Sequence, residues 1–207
     1  MKQVINLDDW NRKEHFNFFS AFDDPFFGVT TTVDFTHVYK QSRKKEKSFF
    51  LYSLHFLLKC INDTAAFQLR IEEGQVVQYD KINISPTIGR EDGTFGFGFF
   101  EYDADLDTFI ENAEKEIDRV KNSTGLSFSE NTGRDDVIRY SALPWFAFSE
   151  MKHAGSIKTG DSVPRISTGK LIKDADKLLL PISISVHHGL MDGRDVAEFI
   201  QKLAVFE

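Results

Sequence analysis

A helical period of apolar positions is the clearest pattern in the chain. Between residues 105 and 123, and again after residue 193, apolar side chains recur every three or four positions, which predicts one amphipathic helix in each segment. Asp103 or Asp105 is placed to cap the first helix. The two apolar stripes consist of Leu106, Phe109, Ile110, Ala113, Ile117 and Val120, and of Val196, Phe199, Ile200 and Leu203.

Two further segments predict helices of other kinds. Residues 47–63 are apolar on nearly every helical face, which indicates a buried helix. Residues 9–19 predict a short helix, with Asp8 and Asp9 as its candidate caps.

Strands are predicted where β-branched or alternating residues replace the helical period. Residues 67–80 contain two such runs around a Glu-Glu-Gly turn, which is typical of a hairpin. Residues 93–103 alternate glycine with phenylalanine and predict a strand whose glycines leave room for a close neighbour. The other predicted strands are 28–36, a strand in 138–148 that ends at Pro144, fragments within the polar stretch 153–177, and 177–186.

The order of these elements predicts an α+β fold. We expect a two-layer sandwich in which amphipathic helices pack on a mixed, mostly antiparallel sheet. No internal repeat, low-complexity segment or linker interrupts the sequence, so residues 1–207 are expected to form a single domain.

Composition narrows the class of protein. The 21 phenylalanines indicate an aromatic-lined pocket or a subunit interface, although a phenylalanine-rich core explains them equally well. The net charge of −7 argues against nucleic acid and anionic membrane as partners. The one basic run, 43–47, is interpreted as a solvated loop, and Cys60, the single cysteine, as a small core residue. With no signal peptide and no apolar run of membrane-spanning length, a soluble cytoplasmic protein is expected.

The candidate chemistry lies near the C-terminus, in "SISVHHGLMDGRDVAEFI". Alternation along the predicted strand sends His187 and His188 to opposite faces, so the two cannot serve one site. No cysteine cluster or HExxH pattern is present, and no metal is expected. Taken alone, the spacing of His188 and Asp192 leaves several readings open: a packed histidine with an N-cap aspartate, an acid–base dyad, or an aspartate that meets a distant cation.

Three motifs in order resemble those of the chloramphenicol acetyltransferases, a family of trimeric enzymes. "LLLPISISVHHGLMDG" is similar to the family's C-terminal HHxxxDG signature and its preceding strand. "WNRKEHFNFF" resembles its N-terminal motif, and "YSALPWFAF" resembles its S-A-L-P-W strand. The resemblance extends over essentially the whole chain.

The resemblance implies acetyl transfer from acetyl-CoA to a substrate hydroxyl, with His188 as the general base. An imidazole suits this role because its ordinary pKa lies near neutrality. In the family the ring is held by its own backbone carbonyl, and Asp192 would form a structural ion pair with Arg12 in place of a dyad. Ser141 would hydrogen-bond the tetrahedral oxyanion, and Ser167 stands where the family usually has a threonine that holds a water.

The resemblance also implies the binding surfaces. Trp145 and Lys170 would line the channel for acetyl-CoA, and Phe18, Phe19 and Phe27 the acceptor pocket. A homotrimer is implied, with each active site between two subunits. His188 would come from one subunit and the acceptor pocket from the next, so that His188 and Ser141 meet across the interface.

Some positions depart from the family pattern. Phe19 replaces a common tyrosine, and Asp23 and Asp24 introduce charge near the acceptor pocket. Phe97 is bulkier than usual, and Leu171 replaces an aromatic that stacks on the adenine of CoA. The primary expectation is therefore chloramphenicol O-acetylation, an antibiotic-inactivating reaction. The alternatives are acetylation of another hydroxylated compound and an inactive, ligand-binding relative.

Overall fold

The computed structural model describes residues 1–155 and 160–205. The helices of the described part are α1 (Lys13–Phe19), α2 (Thr36–Lys44), α3 (Phe49–Asn62), α4 (Leu106–Lys121) and α5 (Gly193–Ala204), with a 3-10 turn at Ala65–Gln68. The strands are β1 (Lys2–Val4), β2 (Phe26–Asp34), β3 (Leu69–Glu72), β4 (Gln75–Tyr79), β5 (Asn83–Gly89), β6 (Phe95–Phe97), β7 (Val137–Leu143), β8 (Arg165–Gly169), β9 (Ile172–Asp174) and β10 (Lys177–His187).

The larger sheet has the order β2-β10-β8-β7-β5-β6, and β9 also pairs with β10. The pairs β5–β7 and β7–β8 are parallel, and the other pairs of this sheet are antiparallel. A smaller antiparallel sheet has the order β1-β4-β3. The predicted α+β architecture, mixed and mostly antiparallel, is confirmed. The sequence did not predict that β1, β4 and β3 form a separate, smaller sheet.

One face of the larger sheet carries the main core. Alternate residues of its central strands point to this face and are fully buried beneath the helices, as Ile166, Ile182 and Ile184 illustrate. The nearly all-apolar helix α3 lies in this core and contacts α2, α4 and α5, as its lack of a polar face predicts. Cys60, on α3, is 4 % exposed, and burial raises its pKa to about 12, which confirms it as a core residue.

The hairpin and the glycine strand follow from local sequence. Glu73 and Gly74 both have positive φ, 50° and 78°, as a two-residue turn between β3 and β4 requires. Gly96 lies where an added Cβ would collide with the side chains of Ser127 and Arg90, so the predicted close neighbour is real. The regular strand is shorter than predicted, because only Phe95–Phe97 pair continuously and Phe100 forms an isolated bridge to Ile84.

Two sequence-based interpretations are wrong and two reach beyond the described residues. The basic run is not a loop throughout, because Arg43 and Lys44 form the last turn of α2, a helix that the sequence pattern did not indicate. Asp8 and Asp9 do not cap α1, which begins after Arg12 without a side-chain cap. By contrast, Asp105 caps α4 through a 2.9 Å hydrogen bond from the backbone N–H of Thr108. Residues 156–159, in the predicted polar stretch 153–177, and residues 206–207, at the end of the predicted segment after residue 193, lie outside the described residues.

A buried cation joins the smaller sheet to the larger one. Arg70, on β3, is 0 % exposed, and within the described residues its guanidinium donates to backbone carbonyls. The hydrogen bonds run to Asp135 (2.6 Å), Phe67 (2.8 Å), Leu69 (2.7 Å) and Val137 (2.7 Å). Burial lowers the pKa of Arg70 to about 10, which still leaves the side chain charged at neutral pH. No helix in the described part of the chain combines the length and apolar character needed to cross a membrane.

We expect Arg70→Met to lower the free energy of unfolding by roughly 3 kcal/mol or more, because it leaves several buried carbonyls without a donor. Urea unfolding followed by circular dichroism measures this change. Arg43→Met, at an exposed position of α2, is the matched control and should change stability far less. Equal effects of the two substitutions would show that the Arg70 network does not stabilise the fold.

Candidate functional site

His188 lies in the turn between β10 and α5. Its backbone N–H donates to the carbonyl of Pro25 at 2.8 Å, which ties the turn to the residue before β2. The ring stacks on Phe19, with 3.9 Å between ring centroids and 13° between planes, and lies 4.6 Å from the ring of Phe27. Two of the three predicted pocket aromatics therefore contact the predicted base, while Phe18 is 61 % exposed and meets the edge of Phe19.

One nitrogen of His188 is committed to the turn itself. Nδ1 lies 3.3 Å from the carbonyl oxygen of Met191. Because a carbonyl can only accept, Nδ1 carries the proton in this contact and Nε2 is left as the acceptor. The sequence resemblance predicts a hydrogen bond from the ring to its own backbone carbonyl, whereas the hydrogen bond of Nδ1 in this structure goes to the Met191 carbonyl. The carbonyl of His188 accepts a 3.1 Å hydrogen bond from Arg12 Nη2.

Arg12 and Asp192 fasten the turn to the first helix. Arg12 Nη1 lies 2.7 Å from Asp192 Oδ2, and the side chains are 16 % and 40 % exposed. The Arg12 guanidinium is the main reason that the pKa of Asp192 is below its ordinary value, and the backbone N–H of Arg194 adds to this effect. Asp192 also caps α5, since its Oδ1 accepts from Arg194 N at 2.9 Å and its own N–H donates to Asp195 at 2.8 Å. Asp192 is therefore both the N-cap of α5 and the ion-pair partner of a cation distant in sequence, two of the interpretations that the sequence left open.

The opposite face of the sheet carries a row of hydroxyls. We name this the hydroxyl row, and its members, one from each of five adjacent strands, are Thr87, Ser141, Ser167, Ser183 and Thr30. Ser141 pairs with Ser167 across β7 and β8, and Ser167 pairs with Ser183 across β8 and β10. Thr87 donates to Ser141 Oγ at 3.3 Å, so the proton of Ser141 remains available to another acceptor.

Within one chain, His188 does not meet Ser141. Side chains on β10 alternate, which places Ser183 and His187 on the face of the hydroxyl row and Val186 toward the core side. His188, in the turn after β10, has its ring against Phe27, the residue that pairs with Val186. Five residues from Ser183 to His188 span roughly 16 Å, and two strand spacings from β10 to β7 add about 10 Å across the sheet. The two predicted catalytic groups therefore lie on different faces and far apart.

Trp145 and Lys170 come directly after the carboxyl ends of the parallel strands β7 and β8. Trp145 is 74 % exposed and Lys170 is exposed. The backbone N–H of Lys170 donates to the carbonyl of Phe146 at 2.9 Å, which holds the two segments together. The exposed indole offers a stacking surface and the exposed ammonium offers a cation to an incoming ligand. Leu171 instead packs against the main core.

His187, the neighbour of the predicted base, is a buried structural residue. It is 3 % exposed, its Nδ1 accepts from Gly189 N at 3.1 Å, and its ring meets the edge of Phe26 at 5.7 Å. Burial lowers the pKa of His187 to about 4. The ring is therefore neutral at physiological pH, and its role is to pack and to shape the turn.

A charged cavity of about 1400 Å³ lies on the face that bears His187. Its lining includes His153, Asp161, Arg139, Arg165 and Asp24. Asp161 lies 2.5 Å from both Arg139 Nη1 and Arg165 Nη2; burial alone would raise its pKa, but the two cations lower it below its ordinary value. Asp24 accepts from Phe26 N at 3.3 Å as part of a turn, and Asp23 is exposed.

Sequence reasoning missed the cavity residues because no motif contains them. Arg139 and Arg165 could have been placed near the hydroxyl row by alternation, since each stands two residues before one of its serines. His153 follows β7 in a segment without regular structure, and no periodicity marks it. Among the described residues, no three His, Cys, Asp or Glu side chains are grouped so as to hold a metal ion.

We expect the Arg12–Asp192 pair to show a coupling energy of about 1 kcal/mol, a value typical of partly exposed pairs. A double-mutant cycle of Arg12→Met and Asp192→Asn, followed by urea unfolding, measures it. The exposed pair Lys13–Asp8, with 2.5 Å between Lys13 Nζ and Asp8 Oδ1 near the start of α1, is the matched control and should show no measurable coupling. No coupling between Arg12 and Asp192 would contradict their role as a clamp.

The pKa of His187 predicts a pH dependence of stability. The ring titrates near 4 in the folded chain and near 6.5 when unfolded, so between these values only the unfolded chain binds the proton. The free energy of unfolding should fall by roughly 3 kcal/mol as the pH drops from 6.5 to 4, and His187 should contribute no slope above pH 6.5. In His187→Asn this part of the slope should vanish, as chemical unfolding at several pH values would show. An unchanged slope would mean that His187 is already protonated when folded.

Comparisons with known proteins show which family the chain is similar to. The family model described as chloramphenicol acetyltransferase matches residues 2–204. The chain is 28 % identical to chloramphenicol acetyltransferase 3 of Escherichia coli, over 96 % of this chain and 93 % of the relative, and 28 % identical to a chloramphenicol acetyltransferase of Clostridioides difficile, over 97 % and 93 %. A solved structure described as chloramphenicol acetyltransferase superposes with a TM-score of 0.91 at 32 % identity, covering 99 % of this chain and 98 % of that one. The resemblance seen in the three motifs is confirmed, and the chain belongs to the chloramphenicol acetyltransferase family.

Proposed function

We propose that this chain transfers an acetyl group from acetyl-CoA to a hydroxyl of chloramphenicol, with His188 as the general base. The observation that supports this most directly is the fixed imidazole. Nδ1 is committed to the Met191 carbonyl and the ring is stacked on Phe19, so Nε2 is the nitrogen that can accept a proton. The chain's membership of an acyltransferase family supplies the reaction class.

The proposed reaction is a balanced acyl transfer. Nε2 of His188 takes the proton of the acceptor hydroxyl while its oxygen forms a bond to the carbonyl carbon of the acetyl thioester. The electron pair of the carbonyl moves to its oxygen, where the hydroxyl of Ser141 donates a hydrogen bond. When the carbon–sulfur bond breaks, the imidazolium returns its proton to the departing thiolate, and His188 is ready for another cycle.

Ser141 is suited to stabilise the oxyanion because, within the described residues, its hydroxyl accepts a hydrogen bond and donates none. Thr87 donates to its oxygen at 3.3 Å, which orients the hydroxyl and leaves the proton free. One such donor typically contributes a factor of about 10²–10³ to the rate. Ser167, next to Ser141 in the hydroxyl row, retains the hydroxyl that could hold a water near the same centre.

Acetyl-CoA is a second substrate, and Trp145 and Lys170 are proposed to receive it. The exposed Trp145 ring offers a flat surface, and the Lys170 ammonium offers a charge to a phosphate of CoA. They directly follow β7 and β8, the two strands that carry Ser141 and Ser167.

We infer that the active site lies between subunits of a homotrimer. His188 and Ser141 cannot act on one substrate within a single chain, because they lie on opposite faces of its sheet. When a neighbouring subunit places its His188 next to this chain's hydroxyl row, a histidine and Ser141 can act on the same substrate. Large exposed aromatic side chains fit burial in such an interface, among them Phe18, Phe22, Phe128, Trp145 and Phe146. We propose one acetyltransferase domain over residues 1–207 and a cytoplasmic location.

A second candidate is acetylation of another, more polar hydroxyl compound. The cavity beside the hydroxyl row carries Arg139, Asp161 and Arg165, and Arg165 Nε is buried without a hydrogen-bond partner in the described residues. The cavity contains charges of both signs, so Asp24 does not make it a purely acidic pocket. Release of free CoA with chloramphenicol, compared with a panel of charged and uncharged hydroxyl compounds, distinguishes the two candidates.

We expect His188→Ala to lower kcat by about 10²–10⁴ or more, because the acceptor oxygen loses its base. A thiol-release assay with chloramphenicol and acetyl-CoA measures the loss, and size-exclusion chromatography verifies that the assembly is retained. His15→Ala, at an exposed position of α1, is the control and should keep full activity. Retained turnover in His188→Ala would exclude His188 as the base.

Mixed assemblies test whether the site lies between subunits. His188→Ala and Ser141→Ala chains, each nearly inactive alone, should regain activity when refolded together. In a cyclic trimer with random mixing, about one quarter of the sites would combine an intact His188 with an intact Ser141. No regain of activity in mixed assemblies that are shown to form would contradict a site shared between subunits.

A further inference from the structure

A second imidazole contacts the hydroxyl row. Nε2 of His153 lies 3.0 Å from Ser167 Oγ, and Ser167 is 0 % exposed. The segment 151–155 lies across this face of the sheet: Ser183 Oγ donates to the Met151 carbonyl at 3.4 Å, and Gly155 packs against the Arg165 guanidinium. His153 is thus held over Ser167 from both sides of its own segment.

The ring of His153 is neutral at physiological pH. Burial lowers its pKa, and the Arg165 cation lowers it further. A neutral imidazole has one donor and one acceptor nitrogen, so the nitrogen that faces Ser167 allows the hydroxyl only one direction of hydrogen bond. In a protonated ring both nitrogens carry a proton, and Nε2 could only donate to Ser167 Oγ.

The neighbours of Ser167 in the hydroxyl row are engaged elsewhere. Ser141 accepts from Thr87, and Ser183 accepts from Thr30 at 3.2 Å and donates to the Met151 carbonyl. Within the described residues, the hydrogen bond that orients Ser167 Oγ is the one to His153. The orientation of the Ser167 hydroxyl therefore depends on a side chain to which the proposed mechanism gives no role.

We propose that His153 is a positioning residue of the acyl-transfer site, which fixes the hydroxyl of Ser167 in one orientation next to Ser141. The inference rests on the proposed function, since it assigns Ser167 to the reacting centre. A hydroxyl with a fixed rotor is already aligned when charge develops, whereas a free rotor must be ordered in the transition state. His153 acts through Ser167 and not on the substrate.

Kinetics of single and double variants test this role. His153→Leu should lower kcat about three- to tenfold with little change in KM for the acceptor, the range expected for loss of one orienting hydrogen bond. His153→Gln, which can still hydrogen-bond Ser167, should recover part of the loss. Ser167→Ala should lower kcat at least as much as His153→Leu, and adding His153→Leu to it should have no further effect.

The control is His55, a half-buried histidine on α3 whose Nε2 lies 2.9 Å from the Asp103 carbonyl. Burial lowers its pKa as it does for His153, so His55→Leu is matched in residue type and environment. It should leave kcat and KM unchanged. Multiplicative losses in the His153→Leu/Ser167→Ala double variant, or a change in KM alone, would overturn the positioning role.

A readout that needs no turnover separates this inference from the proposed function. The ¹⁵N resonances of the His153 ring report which nitrogen carries the proton, and Ser167→Ala should shift them. If the wild-type protein fails to acetylate chloramphenicol while this shift is observed, the proposed substrate is wrong and the His153–Ser167 pair stands. If Ser167→Ala leaves the ring resonances unchanged, the pair does not exist in solution and the inference fails, whatever the activity.

Discussion

The two-residue period of β10 is the constraint on which the rest of the structure depends. It sends Ile182, Ile184 and Val186 into the core and Ser183 and His187 to the other face. A shift of the register by one residue would bury the serines beneath the helices and expose the isoleucines. The same alternation separates the two adjacent histidines, so that one becomes a neutral packing residue and the other a candidate base.

The turn after β10 is held by contacts from three parts of the chain. Arg12 reaches both the carbonyl of His188 and the carboxylate of Asp192, Pro25 accepts from the backbone of His188, and Met191 orients its ring. Because Asp192 also caps α5, the clamp fixes the end of a strand and the start of a helix together. A catalytic side chain in a short turn thereby gains the rigidity usually provided by regular secondary structure.

Much of this arrangement could be predicted from sequence, for identifiable reasons. The period of two separated His187 from His188, and the period of 3.6 located α4 and α5, because both signals are local. The helix α2 was not predicted, because its sequence, THVYKQSRK, mixes β-branched and polar residues and few of its side chains are buried. Arg70 and His153 could not be placed, since their partners are backbone carbonyls or residues distant in sequence and leave no pattern around them. The Met191 carbonyl on the His188 ring likewise depends on the geometry of the turn and not on residue type.

The hydroxyl row has no counterpart in the sequence pattern either. Its members come from five separate strands, and only the sheet order brings them into register. A strand serine is unremarkable alone, whereas a line of them across a sheet provides adjoining donors and acceptors for a developing charge. The helices pack against the apolar side chains on the core face of the sheet, so the apolar burial is concentrated there and the other face can remain polar.

The position of β10 within the sheet also has a consequence for how the chain folds. Its partners β2 and β8 are far apart in the sequence, and β10 follows both of them. In the described larger sheet β2 pairs with β10 alone, so β2 is unpaired until β10 is in place. The contact between His188 and Pro25, the residue before β2, depends on the same pairing. Contacts of such long sequence separation form slowly, because the loop must be closed before they are gained. Pairing of β10 with β2 and β8 therefore completes the sheet and also brings His188 to Pro25 and Arg12.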